Sequence, residues 1–327
     1  MTQELVVLEP RQVRHREPAN LPALITDAGP KAARRFIEFF TANIRNPHTR
    51  RAYHRAATEF FTWCEQHRLE DLASIQPIHV AAYIEELLHR QSRPSVKQSL
   101  AAIRMLFDWL VIGQIVPMNP ATSVRGPKHV VKKGKTPVLS EEEARQLFGS
   151  LDPTHLVGLR DRALIGLMTY TFARVGAVIA MRVEDYYPQG KRWWVRLHEK
   201  GGKHHEMPAH HKLEVYLDEY LQQAGIAQDR KGVLFRSAIG RTDTLTERPM
   251  AQVDVYRMIR RRAKDAGIAT PIGCHTFRAT GITNYLENGG TLEKAQFMAA
   301  HESARTTGLY DRRGDEVTLD EVERISI

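Results

Sequence analysis

The segment RWWVRLHEKGGKHHEMPAH, Arg192 to His210, alternates apolar and polar residues with a period of two. That alternation predicts two strands, over residues 193–198 and 204–207, with KGGK as the turn. The sequence on both sides of it repeats its apolar residues at helical spacing. The fold class predicted is therefore mainly α with a small antiparallel β-sheet, the sheet confined to the second half of the chain. Lys200 stands at the turn tip beside two glycines. A lysine there either stays solvated or reaches into a groove, where a lowered pKa lets it donate a proton to a leaving alkoxide. His198, His204, His205, His210 and His211 crowd the same hairpin. Alternation sends neighbouring histidines to opposite faces, which argues against a zinc site, and no metal is expected.

Four regions follow in order. Residues 1–28 carry scattered prolines and basic residues and read as an N-terminal arm, expected to be flexible. Residues 29–115 read as a compact four-helix unit, with Asn46 and Pro47 as the N-cap and first-turn residue of one helix. Residues 116–137 form a linker rich in proline and base that contains no acid, with Arg125, Lys128, Lys132 and Lys133 suited either to a polyanion or to plain solvation. Residues 138–327 form the second domain and the tail. Ser140 and Glu143 make a capping box, helices are predicted through Met181, and four more helical segments follow the hairpin. The apolar run from Ala163 to Met181 is interrupted by Arg174 and reads as a core helix rather than a membrane span.

The chain has 327 residues, with 47 Lys and Arg against 38 Asp and Glu, a net charge of +9. A surplus of that size points to an anionic partner, most often nucleic acid. Cys64 and Cys274 are the two cysteines, too few and too far apart for a disulfide scaffold or a cysteine metal site. Without a leader-like apolar run at the start, a cytoplasmic, DNA-associated location is expected, with no membrane.

Arg174 needs an anion, and its neighbours one turn on, Ala177 and Val178, offer none. A carboxylate such as Asp185 and a phosphate are both candidates. His275 and Arg278 lie three apart on one helical face, a pairing that suits a phosphoryl oxygen or an ordinary surface contact. His301 precedes Tyr310 by nine residues. A phenol becomes a nucleophile where cations favour its phenolate or a base takes its proton. Two arginines, two histidines and a lysine supply that setting if they converge. The set has no acidic cluster to hold metal ions, so fixed cations would stabilise the transition state without cofactors. Arg257, Arg260 and Arg261 follow helical spacing and could track a DNA backbone or simply face water.

Order and spacing together resemble the tyrosine recombinase family of the phage-integrase type. TFARVGA with Arg174, EKGGK with Lys200, HTFR with His275 and Arg278, and AAHESARTTGLYDR with His301 and Tyr310 match the family's successive motifs. The N-terminal helical unit, with Arg50 and Arg51 in its TRRAY helix start, is similar to the family's core-binding, SAM-like domain. One departure stands out: the acid that the family carries three residues after its first arginine is Ala177 here. Asp185 or Glu184 is expected to substitute.

The resemblance implies a site-specific recombinase acting on double-stranded DNA, with Tyr310 forming a 3′-phosphotyrosyl link without metal or ATP. It implies that Arg174 and Arg278 clamp the phosphate, that His275 is the base with His301 in support, and that Lys200 protonates the departing 5′-hydroxyl. It also implies a homo-oligomer, a dimer on one site and a tetramer in the synapse, with the acidic tail docked on a neighbour. The two-domain layout suggests a mobile element. A type IB topoisomerase or a non-catalytic DNA-binding relative are the alternatives.

Overall fold

A computed structural model describes residues 21–131, 134–199, 203–240, 242–311 and 322–323. The chain divides into two compact units, Met1–Val130 and Val131–Ile327. Lys132, Lys133 and Lys200, residues 1–20 of the N-terminal arm, and most of the C-terminal tail lie outside the described residues.

In the first unit, α1 (Ala23–Asp27) leads into α2 (Pro30–Glu38), which widens into a π turn over Phe39–Asn43. Helices α3 (Pro47–Gln66), α4 (Pro77–Arg90) and α5 (Arg93–Ile112) follow. Proline sits in the first turn of each of α2 to α5, where its missing N–H costs nothing. Asn46 caps α3 as its sequence predicts, its Oδ1 accepting from the backbone N–H groups of His48 at 2.9 Å and Thr49 at 3.2 Å. The core is aromatic: Phe36, Phe39, Phe60, Phe61 and Phe107 are buried, and the Phe60 and Tyr83 rings meet edge-on at 5.1 Å. The basic segment after α5 begins as part of this core. Val116, Ala121 and Val124 are buried in it, and Arg104 donates to the carbonyls of Ala121 at 3.2 Å and Val124 at 2.8 Å.

The second unit opens with α6 (Glu141–Gly149), capped reciprocally by Ser140 and Glu143. Next come α7 (Leu156–Tyr170), α8 (Val175–Ile179), β1 (Tyr186–Gln189), β2 (Arg192–Glu199) and β3 (Lys203–Pro208). The chain continues through α9 (His211–Gln223), β4 (Arg236–Ala238), β5 (Leu245–Pro249), α10 (Gln252–Asp265), α11 (Cys274–Glu287), α12 (Leu292–Met298) and α13 (Ala304–Gly308). Strands β1, β2 and β3 form an antiparallel sheet in that order, with Leu197 opposite His205 and Glu199 opposite Lys203. The predicted hairpin is thus present. Strand β1 and the β4–β5 pair were not anticipated: β1 is four residues long and contains a proline, and β4–β5 carries a register shift.

One prediction about the core fails. The run from Ala163 to Met181 is not a single helix with Arg174 inside it. Helix α7 stops at Tyr170, Phe172 takes a left-handed φ of 55°, and Arg174 becomes the extended N-cap of α8. Apolar periodicity continues across the break because Ala173, Ala177, Val178 and Met181 all stay buried in the same core. Among the described residues no helix is long and apolar enough to cross a membrane.

Candidate functional site

The break between α7 and α8 builds the first half of the site. It turns the Phe172 carbonyl toward α11, where Arg278, 1% exposed, donates to it through Nη1. The second amine, Nη2, donates to the carbonyl of Ala299 at the end of α12. A guanidinium buried that deeply keeps its charge only with its donors occupied. Burial, reinforced by the positive charge of Arg174, brings its pKa down to about 10, so it remains a cation at neutral pH.

Arg174 projects from the N-cap of α8, its side chain 37% exposed, and its Nη1 meets Glu199 Oε2 at 2.6 Å. Asp185 and Glu184, the expected substitutes for the missing acid, are engaged elsewhere. Asp185 accepts from the Arg182 N–H at 2.9 Å and lies 3.2 Å from His198 Nε2, while Glu184 pairs with Lys231 at 2.9 Å. Asp185 faces β2 and Glu184 faces the segment at residues 230–231, so neither supplies the partner of Arg174.

His275 lies in the first turn of α11, exposed, one turn before Arg278. Packing around its ring, and then the charges of Arg278 and Arg174, hold its pKa below the ordinary value. His301 follows α12 and is buried; its Nδ1 lies 2.9 Å from Thr307 Oγ1, with Thr307 itself fully buried. Burial, with Arg278 and Arg174 adding to it, brings its pKa down to about 3, so the ring is neutral. Tyr310 stacks beside it, ring centroids 5.7 Å apart and planes 11° from parallel. The tyrosine backbone is pinned: its carbonyl accepts from Thr283 Oγ1 of α11 at 2.9 Å and its N–H donates to Thr307 O at 2.9 Å. One residue earlier, Leu309 O accepts from Gly134 N at 2.9 Å. The phenol acts electrostatically on the Arg278 guanidinium, favouring its charged form against the effect of burial.

Arg174, His275, Arg278, His301 and Tyr310 therefore gather in one place, from three separate stretches of the chain. Glu199 and His205 join them unannounced. Glu199 ends β2 with its side chain 4% exposed. His205 on β3 is buried against Phe297, their rings 5.1 Å apart, with Nε2 unpartnered among the described residues. Its pKa is lowered by burial, with the Glu199 carboxylate opposing and Arg278 adding to the effect. Alternation along the hairpin could have placed Glu199 on the buried face with Leu197, but nothing local ties it to Arg174. Among the described residues no group of three or more His, Cys, Asp or Glu could hold a metal ion. His210 instead stacks on Tyr170 at 4.3 Å.

The basic residues fall in several settings. On α10, Arg257, Arg260 and Arg261 point outward, Arg257 within reach of Asp254 at 3.8 Å. Arg262 on the same helix turns inward to the buried Asp161 at 2.8 Å, which Arg160 also holds at 2.7 Å. Arg257 and Arg261 line an open cleft of about 1040 Å³. Arg125 and Lys128 are exposed, and so is Arg51, whose Nη2 lies 2.9 Å from His48 Nδ1. Arg50 is turned back to its own chain, its Nη2 donating to the Ile44 carbonyl at 2.9 Å.

A family model described as the phage integrase family matches residues 137–316, and one described as the phage integrase N-terminal SAM-like domain matches residues 34–113. The chain belongs to the phage integrase family. The tyrosine recombinase resemblance read from the motifs holds, and with it a tyrosine-type DNA recombinase as the kind of enzyme. Among similar proteins are the tyrosine recombinase XerC of Thermodesulfovibrio yellowstonii, 26% identical over 80% of this chain and 85% of the relative, and the XerD of Chlorobaculum tepidum, 27% identical over 86% and 91%. The fold resembles that of XerH bound to its difH substrate, with a TM-score of 0.65, 15% identity, and 94% and 97% of the two chains covered. It also resembles a lambda integrase dimer bound to a COC′ core site, with a TM-score of 0.66, 18% identity, and 88% and 96% covered. This integrase-family chain shares with them the architecture of an N-terminal helical domain followed by a mixed catalytic domain.

Proposed function

We propose that this chain is a site-specific DNA recombinase that breaks and rejoins duplex DNA through a 3′-phosphotyrosyl link on Tyr310. The observation that carries the reading is one cluster: the Tyr310 ring stacks on His301 and acts on Arg278, and Arg278 and Arg174 act together on His275 and His301. Tyr310 Oη attacks a backbone phosphorus while its proton passes to His275, whose depressed pKa leaves a free ring lone pair at neutral pH. Arg174 and Arg278 bind the non-bridging oxygens, where fixed charges stabilise the transition state better than reorienting water does. The bond from phosphorus to the 5′-oxygen breaks, and that oxygen takes a proton from Lys200. A second 5′-hydroxyl then attacks the phosphotyrosine and releases Tyr310, so the phosphodiester bond energy is retained and neither ATP nor metal enters. His301, neutral and fixed by Thr307, supports the phosphate by hydrogen bonding. The protein acts as a dimer on each site and as a tetramer when two sites are paired. Exposed Arg51, Arg125, Lys128, Arg257, Arg260 and Arg261 contact the DNA backbone, and we assign the enzyme to a mobile element.

Covalent capture tests the reading. The full chain is incubated with nicked 40-base-pair duplexes of randomised sequence, denatured in detergent, and the linked DNA sequenced. The expected result is an adduct that forms in EDTA without ATP, vanishes in Tyr310→Phe, and converges on one sequence found at the borders of the element encoding the chain. No adduct with the wild type removes the enzyme reading in favour of a DNA-binding relative. Adducts without a sequence preference point to a relaxing enzyme of the topoisomerase kind.

A further inference from the structure

Building on that reading, we infer that Glu199 is the positioning residue for Arg174, and that it takes over from a strand the part that the acid three residues after the first arginine plays in the family pattern. Position 177 cannot play it: Ala177 is buried in α8 and offers no polar atom. Arg174 is a long side chain leaving an N-cap, 37% exposed, and an unpaired guanidinium there samples many rotamers. Glu199 removes that freedom. Its carboxylate is buried and 2.6 Å from Nη1, and a buried carboxylate without a cation is strongly unfavourable, so each partner enforces the other. One contact to Nη1 leaves the other amine and Nε of Arg174 free to present donors to a phosphate.

The strand location adds something that an acid at 177 does not. Glu199 directly precedes Lys200 in the chain. The ion pair therefore anchors the last residue of β2 at the arginine. The same carboxylate acts electrostatically on Arg278 and on His205, the buried imidazole on β3.

The test uses full-length Glu199→Gln, Glu199→Gln/Ala177→Glu and wild type. Arg174 order is read from its Nε–Hε signal in ¹⁵N spectra, assigned by its loss in Arg174→Lys. Chemistry is read from the adduct-forming rate at saturating protein on the duplex recovered by wild-type capture. In Glu199→Gln the Arg174 signal is expected to merge with the solvent-averaged arginines. The rate should fall about ten-fold while the DNA dissociation constant stays within two-fold. The carboxylate restored at 177 should recover both. An unchanged Arg174 signal in folded Glu199→Gln, a wild-type cleavage rate, or a folded double variant that recovers neither readout overturns the assignment. If wild type forms no Tyr310-dependent adduct, the recombinase reading fails separately and the arginine signal alone decides the part played by Glu199.

Discussion

At the scale of single residues, the site sets two buried imidazoles, His205 and His301, beside arginine cations, and burial keeps their rings from taking a proton. His301 illustrates the consequence. Its pKa falls from 6.5 to about 3, and those of His275 and His205 shift in the same direction. A lowered folded value means that below pH 6.5 the unfolded chain binds protons which the folded chain refuses. The stabilisation is complete above that pH and is lost progressively as pH falls toward 3. The melting temperature is therefore expected to drop between pH 6.5 and 5, before most carboxylates begin to titrate. His301→Gln should flatten that drop, measured by calorimetry across the range. A variant whose pH profile runs parallel to the wild type contradicts the neutral buried assignment.

At the scale of elements, the decisive feature is the close approach of α11 to the break after α7. Gly281 lies in the middle of α11, where alanine is intrinsically favoured by about 1 kcal/mol. Here a Cβ would run into the backbone carbonyl of Thr169 and the ring of Phe172. Backbone cannot yield as a flexible side chain does, and overpacking of this kind costs roughly 1–3 kcal/mol. Steric conflict outweighs propensity, so Gly281→Ala is expected to lower the melting temperature by about 2–4 °C. The substitution also disturbs the Phe172 carbonyl that receives Arg278, so adduct formation should fall more than stability alone explains. Wild-type stability and rate in this variant would show that α11 has room to move. Residues 276–283 are buried without a break, so α11 is enclosed on every side and its sequence shows no amphipathic pattern.

At the scale of the whole molecule, the excess positive charge bears on how DNA is held. Arg257 and Arg261 are exposed on α10, within loose reach of Asp254 at 3.8 Å and Asp161 at 3.9 Å, while Arg262 is held by Asp161 at 2.8 Å. If the outer pair neutralises phosphates, each releases a counterion. Arg257→Ala and Arg261→Ala should each reduce the slope of log affinity against log salt by about 1. Fluorescence anisotropy on a nonspecific duplex at several salt concentrations measures this. Slopes equal to wild type would leave α10 as a solvated basic face.

Much of this was legible in the chain itself. Helices, the hairpin period, the caps at Asn46 and Ser140, and the ordered set from Arg174 to Tyr310 are local patterns, because propensity, capping and spacing act over a few residues. Three things were not. The end of α7 was hidden because apolar residues continue on the same buried face through Ala173, Val178 and Met181. Strands β1, β4 and β5 are too short for alternation to register. The partner of Arg174 could not be read because Glu199 lies 25 positions away, and only the packing of β2 beside α8 brings the two together. Sequence determined the family of the chain and the kind of enzyme it is. Tertiary structure decided which carboxylate holds the first arginine, because an ion pair depends on distance in space and leaves no periodic trace in the order of residues.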